Sequence, residues 1–71
     1  MTVKFSRHAL EKARIRGVDM AHIDDTLKDP DELYVDVEHT VTIAVKKIDD
    51  KSVIIAYGEV AGVVKVITIY Y

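Results

Sequence analysis

The spacing of apolar residues changes once along the chain, near residue 33, from a helical period to a strand period. Before that point Ala9, Leu10 and Ala13 fall on one side of a helix predicted from Arg7 to about Arg16. Ser6 fits its N-cap, Phe5 and Leu10 fit a hydrophobic staple, and Gly17 supplies a left-handed stop. Asp19 opens a second helix, with Val18 and Ile23 as the staple pair and Met20, Ile23 and Leu27 at helical spacing. Asp29-Pro30 ends it, because the residue before proline avoids the helical region. Residues 2–5 are a short lead-in or a strand.

After residue 33 the period is two. Leu33, Val35 and Val37 alternate with Tyr34, Asp36 and Glu38, and Val41, Ile43 and Val45 alternate with Thr42, Ala44 and Lys46. Asp49-Asp50-Lys51 and Ala61-Gly62 are turns. The runs Val53–Tyr57 and Val63–Tyr70 are apolar on both faces, as expected of central strands. The predicted fold class is α+β: two N-terminal helices packed on a four-stranded antiparallel meander, forming one domain over residues 1–71.

Composition sharpens this picture. A chain of 71 residues hides only about 60% of the surface its unfolded form exposes, and it has no cysteine for a disulfide, a thiolate zinc site or a thiol nucleophile. Val and Ile supply 19 of those residues, which excludes disorder. Asn and Gln are absent and charged residues reach 31%, a balance expected of a heat-tolerant source. No apolar run approaches the ~20 residues of a membrane span and no signal peptide opens the chain, so the expected location is the cytoplasm.

The net charge of −2 hides a segregation. Lys4, Arg7, Lys12, Arg14 and Arg16 stand against Glu11 alone in residues 1–17, whereas residues 18–50 hold ten acids and three lysines. Such a chain is no general nucleic-acid coat, but its basic segment can grip a phosphate locally. On the first helix His8, Lys12 and Arg16 recur every four residues and share a stripe beside the apolar side.

His8 at the helix start can exchange a proton with a hydroxyl as a neutral imidazole. Ser6 and the first N–H groups suit an anion, and Lys12 and Arg16 suit charge developing on a phosphoryl oxygen. These parts suffice for metal-independent cleavage of RNA by its own 2′-hydroxyl. Read blandly, His8 is a half-buried structural side chain, Lys12 and Arg16 are solvated or ion-paired, and Ser6 only caps. His22 and His39 have no recognised metal-ligand spacing and are read as structural or surface residues. No metal or other cofactor is implied.

Phe5-Ser6-Arg7-His8-Ala9, then Lys12, then Arg16-Gly17-Val18, resembles the opening of the domain of unknown function 4258 family. Val66-Ile67-Thr68-Ile69-Tyr70 resembles its last strand. The resemblance spans essentially the whole chain. It implies a fold similar to RelE/ParE toxins and to the barnase, EndoU, colicin and RelE ribonucleases, with a site between the first helix and the sheet. It maps the family's helix histidine onto His8, its Arg before Gly onto Arg16 and its last-strand pair onto Thr68 and Tyr70. Lys12 stands where the family more often has arginine, keeping the charge without the bidentate fork. The middle strands lack the Lys and Arg cluster of active RelE-type toxins.

Two functional expectations follow. The first is a metal-independent endoribonuclease toxin, or an inactive descendant of one, with His8 as base or acid and Lys12 and Arg16 as phosphate electrostatics. Thr68 and Tyr70 would position the substrate, Ser6 would help bind phosphate, and the partners would be RNA and an antitoxin protein. The second is a non-catalytic interaction module, with a homodimer as one form. Adjacency of His8 to Thr68 and Tyr70 is what the first expectation requires.

Overall fold

The computed structural model describes residues 2–38 and 40–71. In chain order it contains β1 (Thr2–Phe5), α1 (Arg7–Arg16), α2 (Met20–Lys28), β2 (Glu32–Asp36), β3 (Val41–Ile48), β4 (Lys51–Val60) and β5 (Val63–Tyr70). Both helices lie on one face of a sheet with strand order β1-β5-β4-β3-β2.

The α+β class and the two helices agree with the sequence pattern, but the four-stranded antiparallel sheet does not. The sheet has five strands and is mixed: β2 to β5 form the antiparallel meander, and β1 pairs in parallel with β5, Thr2 opposite Val63 and Phe5 opposite Val66. Residues 2–5 alternate as a strand should, but four residues are too few to carry a period. What recruits them is tertiary. The outer edge of β5 is unpaired without them, and Val3 and Phe5 pack against the core beneath the helices.

Local chemistry sets the helix ends. The Ser6 Oγ accepts the Ala9 N–H at 3.0 Å, and Gly17, at φ 66°, closes α1 with its N–H on the Ala13 and Arg14 carbonyls. The Asp19 carboxylate accepts the Ala21 N–H at 2.9 Å to start α2. The core joins Ala9, Ala13, Val18 and Ile23 to Val53, Ile55, Val64, Val66 and Ile69. On α1 the buried stripe is two alanines. Leu10, expected on the core side, is 49% exposed, because α1 lies over the sheet margin where one row of small side chains is covered.

A β-bulge decides which way the last strand faces. Tyr57 pairs with Val66 but Ala56 pairs with Thr68, so Ile67 is an extra residue on β5. Val64 and Val66 face the helices before the bulge, and Ile69 does so after it. Thr68 and Tyr70, which plain alternation would group with Val64 and Val66, turn toward the uncovered face. Among the described residues no helix is long and apolar enough to cross a membrane.

Candidate functional site

β1 ends at Phe5, and from there the outer edge of β5 is closed by α1 instead of a strand. The Ser6 N–H donates to the Val66 carbonyl at 3.0 Å, continuing the ladder by one bond. The Ser6 Oγ then donates to the Ile67 carbonyl at 3.1 Å. One helix length further on, the Arg16 Nη1 donates to the Ile69 carbonyl at 2.6 Å. The bulge makes this possible by turning carbonyls of Val66, Ile67 and Ile69 outward together. Unpaired strand acceptors are thereby satisfied by a hydroxyl and a guanidinium.

The stripe of α1 that carries His8, Lys12 and Arg16 thus runs along the C-terminal half of β5. The His8 Nε2 lies 3.3 Å from the Thr68 Oγ1, at the N-terminal end of the helix. At the other end the Arg16 guanidinium stacks over the Tyr70 ring, 4.6 Å from its centroid. His8 thus meets Thr68 and Arg16 meets Tyr70, each contact joining α1 to β5; of the two neighbours expected for His8, Tyr70 stands at the Arg16 end of the row instead. Lys12 sits between them, half-buried, and no hydrogen bond or ion pair links it to the other described residues. His8 is exposed and Tyr70 is 44% exposed, so the row opens to solvent.

The chemistry available follows from these contacts. Where the Thr68 hydroxyl donates, Nε2 is the unprotonated nitrogen and the hydroxyl occupies the place a substrate hydroxyl would take; the other tautomer reverses the bond. Arg16 has one N–H committed to Ile69 and its plane held by Tyr70, which leaves an oriented cation with further donors. The Ser6 hydroxyl both accepts from Ala9 and donates to Ile67, so in the free protein it clasps helix to strand.

The carbonyls of Ile67 and Ile69 escaped the sequence reading. Backbone acceptors leave no side-chain signature, and the apolar doublet Val66-Ile67 is the one trace of the bulge that exposes them. Elsewhere, the described residues hold no group of three or more His, Cys, Asp or Glu able to bind a metal. The His22 Nδ1 is buried without a hydrogen-bond partner among the described residues, and His39 lies outside them. A concave cavity of about 370 Å³ on the uncovered sheet face is lined by Lys4, Gly58, Val60, Val63, Lys65 and Ile67, among others, and not by the His8 row. The chain matches no family model, no curated protein and no solved structure.

Proposed function

We propose that the seam between α1 and β5 is a phosphodiester site, and that the protein is a metal-independent endoribonuclease of the toxin type. The observation that supports this most is the His8–Thr68 contact of 3.3 Å, with Arg16 oriented at the far end of the same row. The motif resemblance to the domain of unknown function 4258 family, which implies a RelE/ParE-like fold, points the same way.

In this reading the His8 imidazole removes the proton from an RNA 2′-hydroxyl as that oxygen attacks the adjacent phosphorus. The new bond is 2′-O to phosphorus; the bond that breaks joins phosphorus to the 5′-oxygen of the next nucleotide, which leaves with a proton from solvent. Lys12, between the two contacts, stabilises the extra negative charge on the phosphoryl oxygens, and Arg16 at the far end of the row holds the neighbouring phosphate of the same strand. Thr68 hands its place on Nε2 to the 2′-hydroxyl, and Tyr70 offers a ring face to the neighbouring base. An antitoxin protein that covers the basic seam would silence it.

The test is cleavage of a short RNA by purified protein in chelator, beside His8→Ala. The expected result is 2′,3′-cyclic phosphate ends from the parent protein and a loss of rate of about 10²–10⁴ in the variant. Equal activity of the two proteins, or none with RNA or ribosomes, would reject the reading.

A further inference from the structure

The helices cover one face of the sheet and leave the other bare. The strand register arranges the bare face in rows. Thr68, Ala56, Ile43 and Tyr34 lie side by side in one row, and Tyr70, Ile54, Val45 and Glu32 in the next. Toward the opposite end of the strands, Lys4 pairs with Lys65, Lys65 with Gly58, and Asp36 with Val41 at the other margin. The middle of the face is therefore apolar, its β1–β5 margin is basic and its β2 margin is acidic.

We propose that this face is a self-association surface, on which two copies of the chain pack sheet to sheet about a two-fold axis parallel to the strands. Such an axis reverses the strand order while leaving each row in place. It sets Lys4 and Lys65 of one copy over Asp36 of the other, and Arg16 with Tyr70 over Glu32. Ala56, Ile43, Ile54 and Val45 meet in the centre. An axis perpendicular to the strands would instead keep each margin over its own copy, placing Lys4 and Lys65 on like charge, which is unfavourable. The charge pattern thus selects one symmetric arrangement, and every attractive pair occurs twice.

The size of the face suits this occupant. Its central strands are eight, ten and eight residues long. Five strands about 4.8 Å apart, the two outer ones of four and five residues, make a face of roughly 500–600 Å². Two such faces bury about 1,000–1,200 Å², the lower bound for a specific interface, and aligned sheets stack about 10 Å apart. A domain with two alanines as the buried stripe of one helix gains a second core by this packing. The inference does not rest on the ribonuclease reading, and it competes with it: a second copy on this face covers Thr68 and Tyr70, so RNA and the second copy would exclude one another at this margin.

Sedimentation velocity of the full chain from about 5 to 500 μM tests it, with circular dichroism to establish that each variant is folded. The parent protein should dimerise. Lys65→Glu and Asp36→Lys, both at exposed positions, should each weaken the dimer at least tenfold, and the two together should restore most of the loss. Ile43→Asp should leave a folded monomer. A parent protein that is monomeric throughout, or a dimer that ignores the charge reversals or is not rescued by the pair, would overturn the proposal.

Discussion

The two edges of this sheet are finished in opposite ways. On the β5 side a short parallel strand and then a helix close the edge, and outward carbonyls are met by Ser6 and Arg16. On the β2 side all five residues are exposed, and neither helix reaches the strand. Leu33 is 53% and Val35 62% exposed there, beside the carboxylates of Glu32 and Asp36. A closed edge fixes side chains in place, whereas an open edge tolerates change and meets partners. The difference teaches where precise chemistry can live. His8, Lys12 and Arg16 stand on the closed edge because the same residues, or their neighbours, hold α1 to β5.

Substitution should separate the edges by size of effect. Ile69→Ala, on the fully buried side of β5, should lose about 2–5 kcal/mol and leave a domain of this size largely unfolded. Val35→Thr on β2 should change the unfolding free energy from denaturant melts by less than about 0.5 kcal/mol. A large loss at Val35 would erase the contrast. Arg16→Ala should cost about 1–2 kcal/mol in urea melts by orphaning the Ile69 carbonyl, with Arg16→Lys recovering only part of it.

Ser6→Ala removes both an N-cap and the bond to Ile67, and should cost about 1 kcal/mol. Away from either edge, the turn between β4 and β5 has Ala61 at φ 52° and Gly62 at φ 79°. Ala61→Asn should raise stability by about 0.5–1 kcal/mol, since asparagine tolerates the left-handed region.

The smallest effect is one of pH. Burial, then the neighbouring Glu59 charge, raises the pKa of Tyr57. The folded state therefore holds the phenolic proton more tightly than the unfolded chain does. The stabilisation is complete below the ordinary tyrosine value of about 10 and is lost as pH rises through the folded value. Tyr57→Phe should flatten the fall in melting temperature over that alkaline range; an unchanged slope would contradict the assignment.

The helices and the meander were legible because each carries a period long enough to count, and their caps are chemical: Ser6, Gly17 and Asp19 sit where the sequence places them. The fifth strand was not, because pairing between Thr2 and Val63 is a long-range event with no turn residue to announce it. The direction of Thr68 and Tyr70 was equally hidden. Apolar residues fill both parities of residues 63–70, and one bulged residue, Ile67, reverses the parity. What the spacing of His8, Lys12 and Arg16 carried was a shared stripe. That the stripe lies against Thr68 and Tyr70 depends on α1 sealing the sheet edge.

The most direct test of the central claim is a backbone and histidine-ring nuclear magnetic resonance titration with a dinucleotide whose 2′-hydroxyl is replaced by hydrogen, so that it binds without being cleaved. Shift changes concentrated at His8, Lys12, Arg16, Thr68 and Tyr70, and lost in Arg16→Ala, are the predicted result. Changes confined to β2 or to the Lys4–Lys65 margin, or none at millimolar ligand, would contradict the account.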